Sequence, residues 1–193
     1  MSDVYQLSAS GVPPVDIVSM KAALKLTTDA DDSLILSWIK AAMSHGQNRT
    51  GREFTANTWI LLKDAFETRI CLDRSPVDSV TTVERMVSGS FETVADSVYY
   101  LKAGVQSSEI LLDEDQEWPS DADDREQVVR ITFVTAEYTQ QGDLIRTAMM
   151  NHVSSMYANR GDCEGPGGEA GRMNAADTSG ANALYDEMTI ARF

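Results

Sequence analysis

The chain has 193 residues, of which 42% are hydrophobic and 24% are charged, so it can bury one ordinary globular core but is short for a two-domain enzyme. Thirty Asp and Glu residues against sixteen Lys and Arg residues give a formal net charge of −14, which argues against nucleic acid or an anionic membrane as an adhesive partner. The first residues lack the basic and apolar regions of a secretion signal, and no apolar run reaches about 18 residues, so we expect neither secretion nor a membrane span.

The N-terminal third of the sequence predicts an extended segment and two helices. Residues 1–15 are expected to be extended, because two consecutive prolines disfavour a helix there. A short helix is predicted over about residues 16–26, with Asp16 as its N-cap and apolar residues at helical spacing behind it. A second helix is predicted over about residues 31–50. It carries adjacent apolar pairs every four residues and ends at Gly51, a typical C-cap.

Strands are predicted between residues 59 and 134, where short runs are rich in β-branched and aromatic residues. The last run alternates apolar and polar residues, so one face of that strand is expected to be buried. Residues 113–126, which we name the acidic loop, hold eight acidic residues and one Arg, a net charge of −7, and are expected to be solvated. Trp118 within this loop is either a contact point for a partner or a tether onto the sheet.

A third helix is predicted over about residues 143–159, with Asp143 as its cap and the paired apolar pattern of the second helix. After Arg160 the sequence becomes rich in Gly and poor in apolar residues, so residues 161–193 are expected to form a flexible linker and a docking tail. The side chains predicted to dock onto another molecule are Leu184, Tyr185, Met188, Ile190 and Phe193.

Together these elements predict an α+β fold: a small bundle of three main helices with an inserted antiparallel β-sheet or hairpins, and a flexible C-terminal tail. The single predicted domain covers residues 16–160. Outside the acidic loop the charge of this domain is low, because −7 falls in the acidic loop and −4 in residues 161–193, which leaves −3 for the rest of the chain. A nearly neutral body suits identical subunits that pack side by side.

The sequence contains no recognisable catalytic motif: no G-x-S-x-G nucleophile turn, no Walker-type phosphate loop and no H-E-x-x-H zinc motif. The two histidines, His45 and His152, fall on predicted helices. We interpret them as core residues, although packed helices would also bring together a general base or a metal pair. The acidic clusters at residues 29–32 and 113–117 lack the pattern of a calcium-binding loop and are interpreted as helix capping and solvated surface. No catalytic, cofactor or metal site is predicted.

Several stretches within residues 13–160 carry a likeness to a known family. These stretches are residues 15–26, the acidic step at 29–32, a helix end at 50–52, a strand entry at 75–80, a strand at 130–133 with Tyr138, and a last helix that ends at 156–160. Their order and spacing resemble those of the head-tail connector proteins of tailed bacteriophages, which are also called adaptor or head-completion proteins.

The resemblance implies a structural virion protein without enzyme activity, assembled in the host cytoplasm and located in the neck at the portal vertex. It implies a homo-oligomeric ring, a dodecamer that docks on the portal protein on one side and on a stopper or tail-completion protein on the other. DNA would pass through the channel of the ring without specific binding. We expect the apolar C-terminal side chains to dock on the portal. The carboxylates expected at the lumen or rim are those of Asp113, Glu114, Asp115, Glu117, Asp121, Asp123 and Asp124.

Three other functions compete with this reading. A stopper or tail-terminator subunit of the same neck would share the resemblance. An acidic DNA mimic that inhibits a basic nuclease or repressor would share the charge, but its carboxylates should spread over a folded surface at phosphate-like spacing. A metal-dependent hydrolase would need a pair of carboxylates on rigid elements, and the sequence shows no such pair.

Overall fold

The structure is a computed structural model that describes residues 2–9, 11–104, 107–160 and 175–189. The chain divides into two compact units, and each is built from two separate stretches of sequence. The β unit contains residues 1–11 and 55–137, and the helical unit contains residues 12–54 and 138–193. The predicted α+β class is confirmed.

The β unit contains a five-stranded antiparallel sheet with the strand order β1-β2-β8-β4-β5. Its strands are β1 (Ser2–Ala9), β2 (Asn57–Lys63), β4 (Val77–Val87), β5 (Ser90–Thr93) and β8 (Val129–Thr135). The predicted alternation in β8 is confirmed, because Val129, Ile131 and Phe133 are buried while the residues between them are half-buried. β1 lies at an edge of the sheet and pairs with β2.

A three-stranded antiparallel sheet with the order β3-β7-β6 completes the β unit. Its strands are β3 (Arg69–Leu72), β6 (Tyr99–Lys102) and β7 (Ser108–Leu112), and a short 3-10 helix at Asp96–Val98 precedes β6. Both sheets contribute to one hydrophobic core, in which Leu61 and Phe133 from the larger sheet join Ile70 and Ile110 from the smaller one.

The helical unit contains three long or medium helices: α1 (Ile17–Leu24), α2 (Asp32–Thr50) and α3 (Gly142–Ala158). Asp16 caps α1 as predicted, since its carboxylate accepts the backbone N–H of Ser19 at 2.7 Å. Gly51 ends α2 in the left-handed conformation, with φ at 71°, which favours glycine. The predicted cap of α3 is wrong by two positions: the N-cap is Gln141, and Asp143 lies in the first turn.

Two short helices, α4 (Ala175–Thr178) and α5 (Ala181–Asp186), also belong to the helical unit. They lie in residues 175–189, which we name the C-terminal segment. Its residues Ala176, Ala181, Tyr185 and Met188 are buried in the same core as Ile39, Met149 and other residues of α2 and α3. The predicted domain end at Arg160 is therefore not the end of the helical unit, because this core continues into the C-terminal segment.

Candidate interaction surfaces

The acidic loop connects β7 to β8, and Trp118 attaches it to the rest of the β unit. The Trp118 ring stacks on Phe66, with 4.6 Å between ring centroids and 8° between ring planes. Its indole N–H donates a hydrogen bond to the Glu67 carbonyl at 3.0 Å. The Trp118 ring also stacks on Tyr99 of β6, with 6.1 Å between ring centroids. Trp118 thus tethers the loop to the β unit, one of the two roles that the sequence allowed.

Two carboxylates of the acidic loop also hold it in place. Asp121 accepts two hydrogen bonds from the guanidinium of Arg85, at 2.6 and 2.9 Å, and this contact keeps the pKa of Asp121 below its ordinary value. Asp123 accepts the backbone N–H groups of Ser88 and Gly89, at 2.8 and 2.9 Å, in the turn between β4 and β5. The loop is therefore fixed to β4 and to the β4–β5 turn.

The other predicted carboxylates of the acidic loop lie at the surface. Asp113, Glu114, Asp115, Glu117 and Asp124 are all exposed. Asp113 also accepts the backbone N–H of Glu114 at 2.8 Å, a local turn contact. The β unit thus presents a concentrated acidic surface on a loop that its own side chains immobilise.

The C-terminal segment is packed against its own chain in the helical unit. Tyr185 is 0% exposed and Met188 is 2% exposed, while Leu184 is half-buried. Ile190 and Phe193 lie outside the described residues. The prediction that these side chains dock on a partner stays a prediction, but Tyr185 and Met188 already fill the core of the helical unit.

Polar contacts join the C-terminal segment to α2 and to the residues that follow it. Arg49 makes two hydrogen bonds to the Asp186 carboxylate, at 2.7 and 2.9 Å. The Arg52 guanidinium donates to the Met188 carbonyl at 3.2 Å and lies over the Tyr138 ring. Burial raises the pKa of the Tyr185 hydroxyl, which is consistent with a phenol enclosed in a core.

The two histidines meet in the helical unit, beside the C-terminal segment. The rings of His45 and His152 are 5.1 Å apart between centroids, in an edge-to-face arrangement. His45 Nε2 lies 2.8 Å from the Asn182 side-chain oxygen, and Asn182 in turn donates to Asp177. His152 is 4% exposed, and no described group forms a hydrogen bond with its Nδ1. Burial, and then the nearby His45, lower the pKa of His152 to about 4.

This arrangement supports the reading of the histidines as core residues. In the described ranges, no group of three or more His, Cys, Asp and Glu side chains is placed to hold a metal ion. The acidic cluster near the start of α2 contacts a lysine instead, because Lys21 Nζ pairs with both Asp29 and Asp32. Among the helices that the structure describes, none is long and apolar enough to span a membrane.

Sequence reasoning missed one exposed surface, the edge strand β1. Tyr5 and Leu7 on this strand are 45% and 58% exposed. Tyr5 also lines a shallow cavity of about 170 Å³ with Leu62, Met86 and Phe91. The signal in the sequence is weak, because only Val4 and Tyr5 in β1 favour a strand, and the pairing partners lie about fifty residues away or more.

No protein-family model matches the chain, and no curated protein does. Solved structures with the same fold do exist. A chain in the neck of an empty gene transfer agent particle, computed with C6 symmetry, matches with a TM-score of 0.73 and 19% identity over 99% of this chain and 97% of that chain. A chain in the virion of a native gene transfer agent particle matches with a TM-score of 0.69 and 19% identity, covering 98% and 96% of the two chains.

A third match is to a chain in the neck of a native gene transfer agent particle, computed with C12 symmetry, with a TM-score of 0.59, 20% identity and 97% of each chain covered. Because the coverage is nearly complete in both directions, the likeness includes the β unit and the helical unit. At these identities it establishes a shared fold. The chain therefore has the fold of proteins in the neck of a phage-like particle.

Proposed function

We propose that this chain is a structural subunit of the neck of a phage-like particle, located at the portal vertex and assembled in the host cytoplasm. One observation carries the proposal: the fold matches a neck chain from end to end, with a TM-score of 0.73 over 99% of this chain. The proposal assigns no enzyme activity to the chain. In this proposal the subunit joins the portal protein to a stopper or tail-completion protein.

The subunits form a homo-oligomeric ring in this proposal. The neck structures with the same fold were computed with C6 and C12 symmetry, which supports a ring of identical copies. We favour a dodecamer, which would match a twelvefold portal. Native mass spectrometry of the full chain mixed with portal protein tests this number, and twelve copies per portal are expected. A copy number other than twelve per portal would contradict the dodecamer.

The acidic loop lies at the lumen or rim of the ring in this proposal. Carboxylates attract no phosphate, so DNA would slide past them without binding. The contacts of Trp118, Asp121 and Asp123 support this role, because they hold the exposed carboxylates in a fixed position. The same contacts argue against a DNA-mimic inhibitor, since Asp121 and Asp123 bind the protein itself and do not contribute to a phosphate-like display.

Charge neutralisation tests the role of the acidic loop. Glu114→Gln, Asp115→Asn and Glu117→Gln remove three exposed charges, and no hydrogen bond of these side chains is found among the described contacts. We expect particles with this triple variant to show slower DNA passage or poorer tail joining. A matched control is Asp73→Asn, Asp78→Asn and Glu137→Gln, which removes the same charge from other exposed positions. Equal behaviour of the two variants would exclude a specific role for the loop.

The end of the chain is our candidate for contact with the portal. Because Tyr185 and Met188 are buried within the helical unit, substitutions that test portal contact should avoid them. Ile190→Ser and Phe193→Ser change the terminal apolar side chains and leave the described core intact. We expect weaker attachment to purified portal. Unchanged attachment would exclude these two side chains from the contact.

A further inference from the structure

The C-terminal segment contacts the helical unit in the way that a bound peptide contacts a groove. Its main anchor, Tyr185, lies in a groove formed by Ala42, Gly46, Phe54 and His152, which we name the α2–α3 groove. The Tyr185 hydroxyl donates to the Ala42 carbonyl at 3.4 Å, and its ring lies 6.4 Å from both the Phe54 and the His152 ring centroids.

Gly46 makes this groove deep enough for the tyrosine. A Cβ atom at position 46 would lie 2.8 Å from the Tyr185 ring and 2.6 Å from the Phe54 ring, closer than carbon atoms approach each other in proteins. The Phe54 and Tyr185 rings can therefore contact the surface of α2 because Gly46 has no side chain.

The contacts that hold the segment reach residues far away in the sequence. Asp186 binds Arg49, Asn182 contacts His45, and Thr178 contacts Ser155. The donor and acceptor atoms, the buried apolar surface and the groove would all be the same if the segment came from another copy of the chain. The contacts therefore specify a segment and a groove, and they do not specify that both belong to one molecule.

The connection to the segment is long enough to reach a second copy. Residues 161–174 separate Arg160 from α4, and five of these fourteen residues are Gly. Fourteen residues span at most about 50 Å when extended. A compact unit of about 100 residues has a radius of gyration of about 13 Å, so the grooves of two adjacent helical units would be about 30–35 Å apart. A linker of this length can therefore reach either groove.

We propose that, in the assembled ring, the C-terminal segment of each subunit occupies the α2–α3 groove of a neighbouring subunit. This inference rests on the proposed function, because the ring supplies a neighbour at fixed distance. Each subunit then gives one segment and receives one, a head-to-tail relation of the kind that closes rings. The number of buried contacts is unchanged, but they now join subunits, and the ring holds each neighbouring groove at a high effective concentration.

Crosslinking distinguishes exchange from docking within one chain. Arg49→Cys and Asp186→Cys place thiols at an exposed ion pair that links groove and segment, in a full chain that also carries Cys71→Ser and Cys163→Ser. Such an exposed pair contributes at most about 1 kcal/mol, so the variant should fold. A matched control places the thiols at Lys21→Cys and Asp29→Cys, an ion pair close in sequence that exchange of the segment does not separate.

Rings are first identified by electron microscopy and then treated with a short bis-maleimide. We expect the 49/186 variant to run as a ladder of covalent multimers on a denaturing gel, while the control runs as a monomer. In rings assembled from equal amounts of ¹⁴N and ¹⁵N chains, about half of the crosslinked peptides that contain positions 49 and 186 should join a light chain to a heavy chain, as random mixing of neighbours requires.

Rings in which the 49/186 crosslink stays within one chain, with unmixed labels, would overturn the exchange and leave the ring proposal intact. Failure to form rings with or without portal protein would overturn the proposed function, and the exchange with it. The two failures are therefore distinguishable.

Discussion

At the scale of single residues, the ionisation of His152 is strongly coupled to folding. It is buried between α2 and the C-terminal segment, where it faces His45 and Asp177, and its Nδ1 has no hydrogen-bond partner within the described ranges. Burial of an unpaired polar atom costs about 1–3 kcal/mol. Burial of a charged imidazolium would cost more, which is why the neutral form is favoured in the folded chain.

This environment predicts that the helical unit loses stability in mild acid. The pKa of His152 is about 4 in the folded chain, below the ordinary value of 6.5, so between these values the unfolded chain binds a proton that the folded chain does not. The free energy of unfolding should be independent of His152 protonation above pH 6.5. It should fall by about 2–3 kcal/mol as the pH is lowered to about 4. Urea denaturation at a series of pH values measures this change in the free energy of unfolding. Hydrogen exchange of the α3 amides over the same pH range shows whether the helical unit is the part that loses stability.

His152→Gln is the control for this pH dependence. Its side chain does not titrate in that range, so the fall in stability between pH 6.5 and 4.5 should become shallower. The same slope in the variant and in the natural sequence would show that other groups cause the acid sensitivity.

Gly46 gives a second prediction at this scale. Alanine is normally better than glycine in a helix by about 1 kcal/mol. At position 46, however, the added Cβ would clash with the Phe54 and Tyr185 rings, so Gly46→Ala should destabilise the chain by about 1–3 kcal/mol. Gly142→Ala is the matched control, because a Cβ there would have no described atom within 4 Å apart from its chain neighbours and the backbone of its own helix. Thermal unfolding of both variants measures the difference, and equal melting temperatures would contradict the tight packing at Gly46.

At the scale of elements, the C-terminal segment acts as a structural part of the helical unit. Tyr185→Ala should cost about 3–5 kcal/mol, because it removes a large and fully buried ring. Tyr185→Phe should cost less than about 1.5 kcal/mol, since it keeps the ring and loses one long hydrogen bond. Urea denaturation measures both values. Comparable losses in the two variants would show that the hydroxyl, and not the packed ring, is what matters.

The tether of the acidic loop gives another prediction at this scale. Trp118→Ala removes the stack on Phe66 and the hydrogen bond to Glu67, so the loop should become accessible to proteases and the β unit should lose about 1–2 kcal/mol. Glu117→Ala changes an exposed neighbour and should leave both properties unchanged. Limited proteolysis with mass spectrometry measures loop cleavage. Equal cleavage in the two variants would contradict the role of Trp118 as a tether.

At the scale of the whole molecule, the sequence predicted the elements whose pattern is local. The paired apolar residues of α2 and α3 placed both helices within two residues of their observed ends, and Asp16 and Gly51 marked helix ends correctly. The alternation in β8 also predicted its buried face. These features depend on neighbours within one or two turns of chain.

The features that the sequence did not predict depend on distant contacts. β1 is a strand because it pairs with β2, about fifty residues away or more. α4 and α5 have four and six residues, too few to be stable alone, and they owe their stability to the α2–α3 groove. The Gly-rich composition before them suggested a domain boundary, because composition does not reveal that Tyr185 packs against Phe54.

The acidic loop, too, could be predicted from the sequence only in part. The density of charge predicted an exposed loop, and most of its carboxylates are exposed. It did not predict that Asp121 binds Arg85 or that Asp123 binds the β4–β5 turn, since both contacts join residues more than thirty positions apart.

Electron microscopy of the purified full chain, alone and mixed with portal protein, tests the central claim most directly. We expect closed rings with a central channel, seated on one end of the portal, with the rotational symmetry seen in the C12 neck structure of the same fold. Monomers or irregular assemblies in the presence of portal protein, with no density added to the portal, would contradict the account.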